Sequence, residues 1–131
     1  MQPTAPSKGG AAADAARWAA SIKALAEHQN VYVKIGGLGQ RYIGLDFSEQ
    51  TEPPSSEMLA AAFRPYVETC IGAFGTARCM FESNFPVDKP SYSYQVFWNA
   101  CKLMTREASS AQKADLFAGT ATNFYRLNAV G

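Results

Sequence analysis

The stretch "RCMFESNFPVDK", residues 78–89, decides the fold. Its apolar run from Cys79 to Phe81 is typical of a short buried strand, and the polar run from Glu82 to Asn84 follows at once. The chain then turns at Pro86. We therefore predict a strand that delivers polar side chains to the rim of a sheet.

A second strand is predicted in "NVYVKIGG", residues 30–37, because its side chains alternate between two faces. Val33 and Ile35 share one face, Lys34 lies on the other, and Gly36 ends the run. A helix from about Ser55 separates the two strands, so they form a right-handed βαβ unit with parallel strands. Because parallel sheets normally have more than two strands, we expect the chain to be part of a larger sheet of the α/β class.

Helices are predicted around this unit. The first spans about residues 11–28 and the second ends near Phe74, while a third spans about residues 91–104. Ser109 and Gln112 form a capping box for a short fourth helix, and Thr120 is expected to cap a last turn that buries Phe124 and Leu127. Residues 1–10 and 128–131 are expected to be disordered tails.

Composition excludes several classes of function. The 131 residues carry a formal charge of +1 and 12 scattered basic residues, which argues against binding nucleic acid or a membrane. Three cysteines in apolar patterns indicate buried free thiols in a reducing compartment. The first residues do not form a signal peptide, so we expect a soluble cytoplasmic protein.

The segment "MFESNFP" resembles the last barrel strand of the amidohydrolase-related family, which usually ends in Gly-Ser-Asp-Trp-Pro. "NVYVKIGGLG" is similar to the preceding strand, "YSYQVFWNACKLM" to the helix after the last strand, and "LFAGTATNFYRL" to the closing helix. The resemblance covers about residues 11–127. It implies a partial (β/α)₈ barrel, the last two strands with their helices, because a whole barrel takes about 250 residues.

The resemblance also implies an activity. A complete family enzyme hydrolyses a lactone, amide or ester of a small carboxylated or cyclic compound, and decarboxylation also occurs in the family. This segment would then need the N-terminal part of the barrel. Alternatively, the chain is a catalytically inactive remnant that serves as an oligomerisation or interaction module, since its strand edges favour self-association.

The family's metal ligands do not occur in this sequence. They are a His-x-His motif on the first strand and further histidines from middle strands, whereas the single histidine here, His28, matches none of them. A catalytic zinc ion takes about three protein ligands. We therefore expect no cofactor in this chain, although a divalent metal such as zinc is implied for a complete family enzyme.

Two residues are candidates for catalysis. Asn84 stands where the family has an aspartate, and an amide cannot accept a proton at neutral pH. It would either orient a substrate carbonyl or a water, or cap the turn before Pro86. Glu82 shares its face and is either an acid or base or the partner of Lys34 in a structural ion pair.

Lys34, Ser83 and Asp88 are candidates for substrate binding. Asp88 follows the last strand on a loop at the expected catalytic face, although a solvated turn charge is the default for such a residue. Ser83 has no histidine near it in the sequence, which disfavours a nucleophilic role.

Overall fold

The computed structural model describes residues 8–39, 45 and 47–127. Five helices and two strands form its framework. They are α1 Lys8–Ala26, β1 Val33–Ile35, α2 Ser56–Phe74, β2 Cys79–Phe81, α3 Tyr94–Met104, α4 Ser110–Ala114 and α5 Thr120–Phe124.

The tail expected over residues 1–10 is too long. Helix α1 begins at Lys8 and includes the two glycines that follow, with the alanine-rich run after them. The alanines have the highest helix propensity, and propagation from them extends the helix at a cost of about 1 kcal/mol for each glycine. Residues 1–7 and 128–131 lie outside the described residues, so the tails stay predictions there.

The two strands form a parallel pair, as predicted. Val33 lies opposite Cys79, Lys34 opposite Met80 and Ile35 opposite Phe81. The amide of Glu82 extends the ladder by donating to the carbonyl oxygen of Ile35 at 3.0 Å. Both strands therefore end at the same edge of the sheet.

The core lies on one face of this sheet. Ile35, Cys79 and Phe81 are buried there with residues of α2, among them the fully buried Leu59 and Phe63. The α2 helix begins at the predicted point, because the Ser55 hydroxyl accepts from the Met58 amide at 3.2 Å. The side chain of Lys34 points to the opposite face, where Met80 is 2% exposed and the ring of Phe124 in α5 lies 5.0 Å from that of Tyr32.

Helix α3 begins at Tyr94, later than predicted, because the hydroxyl of Ser93 accepts from the Val96 amide and caps it. The preceding Ser91 and Tyr92 are buried in the turn before the helix. The predicted capping box of Ser109 and Gln112 is confirmed at the start of α4.

The end of the chain differs from its prediction. A π-helix over Asp115–Gly119 joins α4 to α5, so Thr120 caps nothing and its hydroxyl donates to the Thr76 carbonyl at 2.7 Å. Phe124 and Leu127 are 44% and 57% exposed, although their spacing had predicted burial. None of the helices in residues 8–39 and 47–127 is long and apolar enough to cross a membrane.

Arg78 ties the end of α1 to the start of β2. Its guanidinium donates to the carbonyl oxygens of Ala26 at 2.9 Å and of His28 at 2.9 Å, and it lies 5.0 Å from the centre of the Phe74 ring. A cation at a helix C-terminus satisfies carbonyls that lack intrahelical partners and complements the helix dipole. The last turn of α1 is therefore held against the sheet.

Gly36 is the point of closest approach between the strand ends. A Cβ atom added there would lie 2.5 Å from the carbonyl oxygen of Glu82 and 2.2 Å from its Cγ. The side chain could move away, but the carbonyl belongs to the backbone of the neighbouring strand. Glycine is therefore required for steric reasons.

We expect Gly36→Ala to lower the free energy of unfolding by about 1–3 kcal/mol, the usual cost of overpacking. Gly72→Ala is the matched control, because a Cβ atom at that helical position meets nothing within 4 Å. It should stabilise the chain by roughly 0.5–1 kcal/mol. Urea melts of both variants measure this, and equal effects would show that the strand ends separate freely.

Candidate functional site

An ion pair lies at the carboxyl ends of the two strands. The Lys34 Nζ atom is 2.9 Å from Glu82 Oε2, with the side chains 49% and 30% exposed. The predicted contact is therefore confirmed. The hydrogen bond from Glu82 and its charge raise the pKa of Lys34, and the Tyr125 hydroxyl adds to this effect.

The parallel register explains the pair. Lys34 lies opposite Met80, and Glu82 stands two residues further along β2, so its side chain falls on the same face. This is the face away from the helical core. The two side chains meet across the strands because both are long enough to span the register offset.

Asn84 follows in a left-handed backbone conformation, with φ of 55°. Its side-chain Nδ2 donates to Asp88 Oδ1 at 2.8 Å, and its carbonyl oxygen accepts from the Asp88 amide at 3.0 Å. The amide nitrogen thus makes a local bond within the turn that contains Pro86. The side-chain nitrogen of Asn84 therefore caps the turn, which was one of the two predicted roles. The side-chain oxygen takes no part in this bond.

Asp88 is not the solvated turn charge that its position predicted. It is 1% exposed, and its Oδ2 accepts from the Tyr92 hydroxyl at 2.5 Å and from the Gly39 amide at 3.4 Å. The prediction was wrong because the turn folds back over the sheet edge and encloses the carboxylate. A buried carboxylate needs such donors to offset the loss of its hydration.

Tyr92 is a member of this site that sequence reasoning missed. Its ring packs in the core, stacked on Phe97 with 5.8 Å between centroids and edge-on to Phe63. Burial, followed by the hydrogen bond to Asp88, raises the pKa of Tyr92, so its hydroxyl stays a donor. The spacing of four residues between Asp88 and Tyr92 was the available signal.

The remaining contacts join the two loops. The Ser91 hydroxyl donates to the Gly39 carbonyl at 2.6 Å. Ser83 accepts from the Phe85 amide at 3.3 Å, a local turn contact. The predicted site residues therefore all lie at one edge of the sheet, and Asp88 is the buried member of the set. Their roles towards a substrate stay predictions. The set consists of Lys34, Glu82, Ser83, Asn84 and Asp88.

The described residues contain no group of three histidine, cysteine, aspartate or glutamate side chains that could hold a metal ion. His28 is exposed near the end of α1. Its carbonyl oxygen accepts from Arg78, at the opposite end of the strands from Glu82. The donor set of residues 8–39, 45 and 47–127 therefore does not fit a catalytic zinc ion by itself.

The three cysteines are buried free thiols, as predicted. Burial raises the pKa of Cys70 to about 11 and those of Cys79 and Cys101 to about 12. A thiol reacts as a nucleophile in its thiolate form, which these environments disfavour. They serve as packing groups in the core.

We expect a coupling free energy of about 0.2–1 kcal/mol between Lys34 and Glu82 in this chain, because the pair is half-exposed. Urea melts of Lys34→Met, Glu82→Gln and the double variant measure it. Since the pKa of Lys34 is raised, the stabilisation should be present below the ordinary value of 10.5 and disappear as pH rises through the raised value. A coupling of zero at pH 7 would contradict the contact.

Comparison with known proteins places this geometry in a family context. A family profile described as Amidohydrolase matches residues 3–127. An uncharacterised protein, y4mH, from Sinorhizobium fredii is 40% identical over 110 residues, which are 84% of this chain and 33% of that protein. L-fucono-1,5-lactonase from Burkholderia multivorans is 32% identical over 120 residues, 86% of this chain and 36% of the lactonase.

A solved structure supports the same context. The crystal structure of an amidohydrolase from Burkholderia multivorans with bound zinc superposes with a TM-score of 0.74 and 26% identity, over 87% of this chain and 38% of that one. The chain spans about a third of the length of the relatives it matches. Its α/β fold is thus similar to part of a larger enzyme fold.

Proposed function

The chain belongs to the amidohydrolase family, and from this premise we propose that it forms the last two strands, with their helices, of a (β/α)₈-barrel hydrolase. The reaction we propose is the hydrolysis of a lactone in a small carboxylated or cyclic compound, with amides and esters as the related substrate classes. Similarity to L-fucono-1,5-lactonase favours the lactone. The match to about a third of each relative supports a segment that makes up only part of the barrel.

One observation carries this proposal, the Lys34–Glu82 pair at the carboxyl ends of parallel strands, with 2.9 Å between Nζ and Oε2. In (β/α)₈ barrels the helices surround the strands, the opposite face points inward, and the site lies at the carboxyl ends. The pair lies at the carboxyl ends of the strands, on the face opposite Ile35, Cys79 and Phe81. Its position therefore supports a barrel site.

The chemistry follows from the two groups. In lactone hydrolysis water adds to the carbonyl carbon, the ring C–O bond breaks, and the products are a carboxylate and a hydroxyl group. We assign Glu82 the removal of a proton from the attacking water and the return of that proton to the ring oxygen as its C–O bond breaks. Lys34 would stabilise the negative charge that develops on the carbonyl oxygen.

A metal ion would need ligands from other parts of the barrel. The zinc in the related crystal structure belongs to that protein, and the donor set described here does not complete such a site. No step assigned to Lys34 or Glu82 depends on a metal. Asn84, at the position of the family's aspartate, would contribute hydrogen bonding and not proton transfer.

The test is hydrolysis of L-fucono-1,5-lactone, measured first with the chain by itself. It is then measured after the chain is co-expressed with the part of the Burkholderia lactonase to which the chain does not align. We expect activity in the combined protein and a loss of about 100-fold or more in kcat for Glu82→Gln, the typical scale of general-base catalysis. Lys34→Met should also lower kcat.

The matched control for this assay is Glu68→Gln. Glu68 forms an exposed ion pair with Arg64 on α2, with 3.6 Å between the charged atoms. Removing that carboxylate should leave kcat unchanged. Equal activity of Glu82→Gln and Glu68→Gln would contradict the assignment of Glu82.

We infer a second candidate, an interaction module, from the sheet. In the described part of the chain, β1 and β2 pair only with each other, so each has an outer edge without a strand partner. Such edges favour pairing with another chain. Val87 and Tyr94 are exposed apolar side chains.

If self-association through these edges is the function, the chain should form dimers or larger assemblies at micromolar concentration. Light scattering coupled to size exclusion measures this. A monomer at all concentrations would exclude this candidate.

A further inference from the structure

The carboxylate of Asp88 is buried with both oxygens engaged. Oδ1 accepts from Asn84 at 2.8 Å, and Oδ2 accepts from the Tyr92 hydroxyl at 2.5 Å and the Gly39 amide at 3.4 Å. The donors come from the loops after both strands and from a core aromatic residue. Since a buried carboxylate is stable only with such partners, its position is closely fixed.

This carboxylate sets the orientation of the Asn84 carboxamide. A carboxylate only accepts hydrogen bonds, whereas a carboxamide has one donor end and one acceptor end. The Nδ2 atom must therefore face Asp88, and Oδ1 must face the other way. Within the described ranges, no donor reaches Oδ1.

The carboxamide also lies at the carboxyl end of β1. Gly37 has φ of +72°, and a Cβ atom added there would lie 3.5 Å from Asn84 Nδ2. The amide thus lies against the backbone that follows β1, next to Gly36, where a Cβ atom would lie 3.0 Å from the carboxyl carbon of Glu82. The side chains of Asn84 and Glu82 therefore lie against successive residues of the same loop.

We propose that Asp88 is a positioning residue, which holds Asn84 so that its side-chain carbonyl oxygen accepts a hydrogen bond from a hydroxyl group of the substrate. This inference rests on the proposed function and adds how the substrate is recognised, through a hydroxyl group; the substrate class, a hydroxyl-bearing lactone, is the one that similarity to L-fucono-1,5-lactonase favours. The site then selects substrates whose hydroxyl group donates a hydrogen bond to Asn84. This selection needs no ionised side chain at position 84.

The same contact explains why position 84 carries an amide where the family pattern has an acid. An aspartate at 84 would place two carboxyl groups about 2.8 Å apart. Like charges at that distance cannot both ionise, and one would have to hold a proton. The identities of residues 84 and 88 are therefore coupled.

Denaturant melts of the full chain test the orientation. We expect Asn84→Asp to match the wild type below about pH 4, near the ordinary aspartate pKa, and to lose stability as pH rises, because one carboxyl pKa is raised in the folded state. The double variant Asn84→Asp, Asp88→Asn restores a donor–acceptor pair with its direction reversed. It should recover most of the urea midpoint and lose the added pH dependence, whereas additive losses would overturn the orientation.

Kinetics of the combined protein described above test the substrate class, with L-fucono-1,5-lactone and δ-valerolactone, which bears no hydroxyl group. Asp88→Asn should lower kcat/KM for the hydroxylated lactone about 100-fold, the scale of a misplaced group in a site, with little change for δ-valerolactone. The double variant keeps an acceptor at position 84 and should rescue the preference. This rescue keeps the test decisive if Asp88→Asn folds poorly.

The matched control is Asp115→Asn, because Asp115 accepts from the Thr76 hydroxyl at 2.8 Å before β2, at the other end of the strand. It should leave the preference between the lactones unchanged. Equal losses on both lactones in Asp88→Asn would overturn the positioning role. A wild-type protein that hydrolyses neither lactone would overturn the proposed function and the substrate class, while the melts still decide the orientation of Asn84.

Discussion

The backbone contact between the ends of β1 and β2 is the constraint on which the other features depend. The Glu82 amide donates to the Ile35 carbonyl at 3.0 Å, and Gly36 packs against the Glu82 carbonyl, where a Cβ atom would come within 2.5 Å. Because the strands are parallel and end together, the loops that follow them leave from the same edge. The ion pair and the Asp88 contacts both require that coincidence.

The two faces of the sheet carry different side chains. Ile35, Cys79 and Phe81 supply apolar surface to the core, whereas Lys34 and Glu82 lie on the other face together with Met80, which is 2% exposed. Alternation along each strand assigns the side chains to these two faces. In the proposed barrel the second face would point inward, so the charged pair would lie in its interior.

The two carboxylates at this edge differ in their surroundings. Glu82 is 30% exposed and pairs with Lys34, whereas Asp88 is enclosed and accepts hydrogen bonds from Tyr92, Gly39 and Asn84. A buried carboxylate with several donors is a fixed acceptor. The amide at position 84 fits this arrangement, since its nitrogen donates to Asp88 and its oxygen is an acceptor for the proposed substrate contact.

The sequence by itself determined the features that follow from local rules. Alternation predicted both strands, the βαβ order predicted their parallel pairing, and strand parity predicted the contact of Lys34 with Glu82. Side-chain capping predicted the starts of α2 and α4, because a cap involves residues three apart. These outcomes depend on neighbours in the chain or on a handedness that leaves few alternatives.

Tertiary structure decided the features that join distant segments. Arg78 holds the end of α1 through the Ala26 carbonyl, 52 residues earlier, and Asp88 is buried because Gly39, 49 residues earlier, closes over it. Phe124 and Leu127 have the spacing of buried residues and are exposed, since burial depends on what lies opposite them. Periodicity specifies which side chains share a face, and only the folded chain specifies what covers that face.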